Sequence, residues 1–340
     1  MPISETQEQK YLGFVLSSSG NNMVNITAIR NKSIGIIRTI MNKLEKLHLK
    51  QYYFECALIL MNTILRGSIL YVSETYYNLT ENQLRNIERI EEGYLRKVLK
   101  TSKGCPIVQL YLSMGQWPAR FEIQKYRLLF LKTILEQEED SMVSKFFKLQ
   151  MEHPTKGDWV SRVMKDLSEL GFSESLEEIK TMSRFKFNKS IKNKIKENAL
   201  EYLLSKRGSK GSEIEYSALE MSEYLLPYND KLTISEKQGL FAVLNRMVDI
   251  SDNYGKHGHC ICNEKEDMSH IYSCLYLNED HQILPYKKIY NGKLSEQIEI
   301  FSRFEKNMKK RNELRIKRNE ENHLPCDRID PLSFVKSSIG

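Results

Sequence analysis

The spacing of apolar residues along most of the chain is that of amphipathic helices. Thr80 and Gln83 form a predicted capping box, and behind them apolar residues recur at helical spacing as far as Lys100. In the stretch 184–210 they recur every four residues, at Phe187, Ile191, Ile195 and Ala199. The pattern predicts a mostly α-helical protein built around a helical bundle.

Further helices are predicted on either side of these two. From Asn31 on, an apolar stripe follows helical spacing, and Tyr53 to Tyr71 is apolar nearly all round, which is typical of a buried central helix. The predicted stripe consists of Ile34, Ile37, Met41, Leu44 and His48. Helix boundaries are indicated by Pro106 and Pro118 at starts, by Gly171 at an end, and by Ser235 with Gln238 as a cap.

The N-terminal segment has a different pattern. Lys10 to Ser17 mixes aromatic and β-branched residues and runs into a turn cluster, which predicts a strand and its turn. Because a lone strand cannot bury its faces, either it pairs with a segment later in the chain or the rest of its sheet is missing. We expect a short N-terminal β hairpin remnant.

The composition argues against a membrane protein and against a secreted one. The longest apolar runs are far shorter than the ~20 residues that a membrane span needs, so a membrane protein is not expected. The first ten residues are polar and acidic, unlike a signal peptide. We expect an intracellular protein of the cytoplasm and nucleus, whose six cysteines are thiols or metal ligands.

Basic charge is concentrated in two stretches. Residues 184–210 contain nine Lys and Arg against two Glu, and residues 300–320 contain eight against three, while the rest of the chain is net acidic. Such asymmetry favours contact with a polyanion, although solvated faces of ordinary helices would give the same pattern. If 300–320 is a helix, Phe301 and Phe304 either anchor it or stack on exposed bases.

Cysteine and histidine cluster near the C-terminal end. Six of the 13 such residues in the chain fall within positions 257–274. The spacing of Cys260, Cys262, His270 and Cys274 predicts a structural zinc site, because zinc takes four nitrogen or sulfur ligands in a tetrahedron. The single residue between the two first cysteines is shorter than usual, so His257 or His259 could replace one of them. Free thiols in a small hairpin are the alternative.

The acidic residues and glycines show no pattern typical of a catalytic site. No carboxylate pair lies in an apolar context at a spacing suited to general acid and base catalysis, no glycine-rich phosphate loop occurs, and no aspartate pair is suited to two Mg²⁺ ions. Glu91 and Glu92 are adjacent on a predicted helix and are expected to be solvated. The chain is therefore expected not to be an enzyme.

Several segments resemble the C-terminal region of non-LTR (LINE-type) retrotransposon reverse transcriptases. The strand YLG followed by VLSSSGNN resembles their last palm strand. The following stretches resemble the thumb and beyond: YYFECALILMNTILRGSILYVSETYYNLT, LRNIERIEEGYLRKVL, VQLYLSMGQWPARFEIQKYRLLFLKTIL and HPTKGDWV. The four-residue cluster resembles their CCHC zinc knuckle, and IYNGKLSEQIEIF with HLPCDRIDPLS is similar to their extreme C-terminus. The resemblance covers about residues 8–340.

Two departures limit what the resemblance implies. In that family the two-aspartate polymerase motif lies upstream of the YLG strand and does not occur here, nor does an N-terminal endonuclease, so neither activity is carried over. The cluster also has one residue between Cys260 and Cys262, where the zinc knuckle of the family usually has two. The implied protein is a C-terminal segment. Its implied division is a palm-strand remnant (1–30), a thumb-like helical bundle (31–150), a helical connector (151–252), a CCHC zinc-knuckle-like motif (253–280) and a basic C-terminal helical tail (281–340).

The leading functional hypothesis is binding of template RNA or target DNA without catalysis. Alternatives are the tail of a longer active RNA-directed DNA polymerase and a decayed fragment with no specific partner. No membrane and no small-molecule substrate are expected. The residues expected to neutralise phosphates are Lys189, Lys192, Lys196, Arg303, Lys306, Lys309, Lys310, Arg311, Arg315 and Arg318.

Overall fold

A computed structural model gives the conformation of most of the chain. It describes residues 8–11, 14–17, 23–47, 49, 52–101, 103–155, 157–206, 233–244, 259–274, 276–277 and 294–321. These residues are mostly helical, which confirms the predicted fold class. Among them, no helix has the length and apolarity that crossing a membrane requires. The division into five segments remains a prediction, and His48 and His257 lie outside the described residues.

Thirteen α-helices are described. They are α1 (Met23–Lys46), α2 (Tyr53–Leu60), α3 (Arg66–Ile69), α4 (Glu81–Leu99), α5 (Ile107–Ser113), α6 (Ala119–Leu135), α7 (Met142–Glu152), α8 (Trp159–Glu169), α9 (Leu176–Thr181), α10 (Arg184–Ser205), α11 (Ile234–Leu244), α12 (Met268–Ser273) and α13 (Leu294–Glu321). A π-helical turn (Met61–Leu65) joins α2 to α3, and a 3-10 turn (Ser73–Thr75) follows.

Two short strands precede the helices. β1 (Glu8–Tyr11) and β2 (Phe14–Ser17) pair antiparallel, with Glu8 opposite Ser17 and Tyr11 opposite Phe14. The continuous strand predicted from Lys10 to Ser17 is therefore wrong. The stretch folds back on itself, so that its two halves supply each other's backbone partners.

The described residues form two compact units. Unit 1 takes its residues from 1–48, 56–95 and 116–206, and unit 2 takes its residues from 49–55, 96–115 and 207–340. In unit 1, α10 packs against α6, and the α10 residues Phe187, Ile191, Ile195 and Ala199 are buried in its core. This confirms the predicted apolar stripe. Leu128, Leu131, Val163 and Leu167 of α6 and α8 belong to the same cluster.

Unit 2 contains α5, α11, α12 and α13. Helices α11 and α13 approach closely at Gly239, where an added Cβ would lie 2.7 Å from the Phe301 ring. A larger side chain at this position would displace the ring. The cap of α11 differs from the prediction, since Thr233 and Glu236 form the reciprocal capping bonds. Gln238, predicted as part of the cap, is buried and donates to the Val98 carbonyl.

The N-terminal helices also differ from expectation. Helix α1 begins at Met23, eight residues earlier than predicted, because Ile26 is buried and extends its core face. Ile34, predicted on the buried stripe, is 56% exposed. Ile59 and Tyr71 in the predicted all-buried segment are exposed as well. An apolar pattern all round a helix does not indicate which face the fold will cover.

Charged side chains are buried inside unit 1. Glu91 is fully buried and accepts a 2.8 Å hydrogen bond from Arg66 Nε, while Glu92 accepts from Arg85. The expectation that Glu91 and Glu92 are solvated is wrong. Glu88 and Glu122 are also buried. Such groups are stable inside a protein because a cation pairs with them.

Candidate metal centre and basic surfaces

The predicted metal ligands lie on a tight hairpin and the helix after it. His259 and Lys265 form a β-bridge, and Cys260 N donates to the Glu264 carbonyl at 2.8 Å. Asn263 adopts a left-handed conformation with φ of 69°, which closes the turn. Asp267 then caps α12 by accepting from His270 N. The hairpin and the capped helix together bring the two ends of the motif to one point.

The four ligand atoms form a compact cluster. Cys260, Cys262, His270 and Cys274 each offer one atom, and all four atoms lie within 4.8 Å of one another. The Sγ of Cys274 lies 3.8 Å from that of Cys260 and 3.7 Å from that of Cys262. Tetrahedral zinc with ~2.3 Å bonds places two sulfurs about 3.8 Å apart. The cluster therefore has the donor set and the spacing of a structural zinc site.

The short spacing between the first two cysteines is accommodated by the turn. Cys262 Sγ lies 3.2 Å from His270 Nε2, so both cysteines of the hairpin face the ligands of α12. His259, the alternative ligand within the described residues, is exposed and does not belong to the cluster. Cys260 and Cys274 are buried, and burial raises the pKa of Cys260 to about 12. None of the three cysteines forms a disulfide.

Helix α12, which follows the hairpin of the candidate metal site, packs against α13. Tyr272 Oη donates to the Ile300 carbonyl at 2.6 Å, and Asn307 Nδ2 donates to the Ile271 carbonyl at 2.9 Å. The rings of Tyr272 and Phe304 are 5.3 Å apart. Phe301 and Phe304 are buried, so of the two roles expected for them the structure shows the anchoring one. Residues of α12 and α13 thus form one packed assembly within unit 2.

A buried carboxylate next to the hairpin forms ion pairs with two arginines of α13. Glu266 is fully buried and accepts from Arg311, which is 1% exposed, and from Arg315 Nη2 at 2.6 Å. The expectation that Arg311 contacts phosphates is therefore wrong, because its guanidinium is inside the protein. Arg315 is half-buried and its charge is paired with Glu266. Both side chains attach α13 to the hairpin.

The remaining basic residues of α13 differ in exposure. Lys306 and Lys309 are exposed, and Lys309 Nζ lies 3.6 Å from Glu305. Arg303 and Lys310 are half-buried, and the side chain of Arg318 lies outside the described residues. Only part of the expected basic face of this helix is therefore turned to solvent.

The basic residues of α10 are arranged differently. Lys189, Lys192 and Lys196 are exposed on the face opposite the buried apolar stripe. None of the three forms an ion pair with another residue in the part of the chain that the structure describes. We call these three residues the lysine row. Its positions follow steps of three and four, so the side chains project from one side of the helix.

A polar cleft of about 570 Å³ opens elsewhere in unit 1. Its arginines are already paired: Arg127 contacts Asp166 at 2.7 Å, and Arg120 contacts both Glu81 and Glu88. Arg120 also lies over the Tyr202 ring, 4.5 Å from its centroid. These contacts are typical of ion pairs that join helices.

The cluster of Cys260, Cys262, His270 and Cys274 and the lysines of α10 were predicted from the sequence, whereas Phe185 was not among the predicted site residues. This residue is 79% exposed at the start of α10, two positions before the buried Phe187. The signal available in the sequence was the spacing of four residues between Phe185 and Lys189, which places both on one face of a helix. Comparisons with family models, with curated proteins and with solved structures find no match to this chain.

Proposed function

We propose that the chain is a nucleic-acid-binding helical protein that holds one structural zinc ion and carries no catalytic activity of its own. The lysine row is the observation that carries the proposal. Three exposed ammonium groups on one helix face, without ion pairs among the described residues, are suited to neutralise successive phosphates. Contacts of this kind position a nucleic acid without reading its sequence.

Zinc has a structural role in this proposal. Three thiolates and one imidazole fill all four positions of a tetrahedral ion, which leaves none for a substrate. The ion would fix the hairpin and α12, and through Tyr272 and Glu266 it would hold α13 in place. Cys260, Cys262, His270 and Cys274 are the ligands.

The origin of the module is part of the proposal. The segments that resemble non-LTR reverse transcriptases suggest a region that positions template RNA or target DNA for a polymerase. The lysine row is compatible with such a role, because phosphate contacts do not depend on sequence. The expected parent activity, RNA-directed DNA synthesis, would reside outside this chain.

Lysine footprinting tests the proposal. Amine-specific acetylation of the intact protein is compared with and without a short single-stranded RNA, and the modified lysines are identified by mass spectrometry. We expect RNA to protect Lys189, Lys192 and Lys196. Lys145 and Lys148 are the matched control, because they are exposed in the same unit but paired with Asp140 and Glu139. Equal protection of control and row, or no protection, would contradict the proposal.

A further inference from the structure

Phe185 continues the lysine row by one helical turn. Positions 185, 189, 192 and 196 follow steps of four, three and four, which places them on one face of α10. At 1.5 Å per residue the four positions span about 16 Å of helix. Phe185 is 79% exposed, whereas Phe187 on the opposite face is fully buried. The face therefore combines one solvent-exposed aromatic ring with three cations.

The sequence around this face excludes acidic residues. No Asp or Glu occurs between Lys180 and Glu197, so the part of α10 that carries Phe185 and the lysine row contains no carboxylate, and the two glutamates of the helix, Glu197 and Glu201, follow the row. An exposed apolar ring next to free cations is suited to a ligand with both a negative charge and a flat apolar surface. A nucleic acid with unpaired bases has both.

Phe185 lies in the first turn of α10, and two contacts fix the conformation of that turn. Ser183 caps α10 by accepting from Lys186 N, and Arg184 Nε contacts Glu136 at 2.5 Å. The helix start is thereby attached to the end of α6. A side chain on such a fixed turn loses less freedom on binding than one on a mobile loop, which favours its use as a contact.

We propose that Phe185 stacks on an unpaired base of a nucleic acid whose phosphates lie on the lysine row, so that this surface prefers single strands to duplexes. The inference rests on the proposed function. In a duplex the faces of the bases cover one another, and Phe185 could reach a base face only at an end. In a single strand the bases are free to rotate onto the ring.

Binding of three labelled DNA probes to the intact protein tests this inference. The probes are a short single strand, a duplex of the same sequence, and a strand of equal length without bases. We expect Phe185→Ala to weaken single-strand binding about 5- to 150-fold, the range for one lost stacking contact. Binding of the duplex and the abasic strand should stay the same, because both contact only the lysines.

Two variants serve as controls. Phe185→Trp retains a stacking surface and should restore single-strand affinity, with its fluorescence quenched by the base. Phe146→Ala removes another exposed phenylalanine of unit 1, one on α7 whose neighbouring lysines are ion-paired, and should leave all affinities unchanged.

Three outcomes would overturn the inference. An unchanged single-strand affinity in Phe185→Ala, with binding that still depends on the lysine row, would refute stacking but leave the proposed function intact. An equal loss on the abasic strand would show that Phe185 acts through the helix rather than through a base. Failure of the unmodified protein to bind any probe would refute both the stacking and the proposed function.

Discussion

Glu122 is a buried carboxylate of unit 1 that neighbouring cations stabilise in its ionised form. It is buried near the start of α6, contacts Lys125, lies 3.9 Å from Arg66 and accepts a 2.6 Å hydrogen bond from Trp117 Nε1. Burial alone would raise the pKa of this carboxyl. Lys125 and Arg66 outweigh the effect of burial and hold the pKa of Glu122 below its usual value. The ionised form is therefore the one that the fold stabilises.

A pH dependence of stability follows from this lowered pKa. The contribution of Glu122 is fully present above the unfolded value of 4.5 and is lost as the pH falls through the lower folded pKa. We expect Glu122→Gln to reduce the free energy of unfolding by about 1–3 kcal/mol near neutral pH. The difference in the free energy of unfolding between the variant and the unmodified protein should become smaller in acid.

Urea unfolding of the unmodified protein and of Glu122→Gln, from neutral pH to below 4.5, measures this difference in the free energy of unfolding. Glu138→Gln, at an exposed site just beyond the same helix, is the control and should change little. A deficit that stays constant with pH would show that Glu122 contributes through its shape and not its charge.

Residue-level prediction succeeded where the chemistry is local. The proximity of the four potential metal ligands was predictable because cysteine and histidine are rare and clustered within 18 positions. The burial of Glu91 and Arg311 was not predictable in this way. Their partners, Arg66 and Glu266, lie 25 and 45 positions away, and sequence spacing carries no information about such long-range pairs.

At the scale of elements, the metal hairpin and α13 depend on each other. The hairpin and α12 are bonded to α13 through Tyr272, through Asn307 and through Glu266. A structural zinc ion supplies folding free energy to the segment that binds it. Order in 259–277 should therefore be coupled to the packing of α13.

Metal analysis and chelation test this coupling. We expect one zinc per chain after expression with zinc, and its removal should abolish amide-exchange protection in α12 and reduce protection in α13. Cys274→Ser should do the same, whereas Cys105→Ser, a buried cysteine outside the cluster, should keep the zinc. Less than half an equivalent of zinc in the unmodified protein would refute the metal site.

Elements were predictable where local signals agreed. The capping bonds of Thr80 and Gln83 and the four-residue stripe of α10 occur as predicted. The predicted start of α1 was wrong by eight residues and the predicted cap of α11 by two. Ser235 and Thr233 are both competent caps in sequence, and the choice depends on how Gln238 is buried in the fold.

At the scale of the whole molecule, the two candidate sites belong to different units. The lysine row and Phe185 are in unit 1, and the zinc ligands are in unit 2. The chain order of helices does not predict these units, because both are assembled from separated segments. Residues 96–115, for example, belong to unit 2 although they follow directly on unit 1 residues of the same helix, α4.

The salt dependence of affinity shows whether the lysine row binds phosphates. The logarithm of the affinity for a short single-stranded RNA is measured against the logarithm of salt concentration. The comparison is between unmodified protein and the triple variant Lys189→Gln, Lys192→Gln, Lys196→Gln. Lys145→Gln with Lys148→Gln is the control.

Each phosphate contact on a single strand contributes about −0.7 to this slope. Three contacts therefore predict that the triple variant has a slope shallower by about two, while the control keeps the slope of the unmodified protein. A slope that is the same in the triple variant and the unmodified protein, or a slope near zero in both, would show that the lysine row does not bind phosphates.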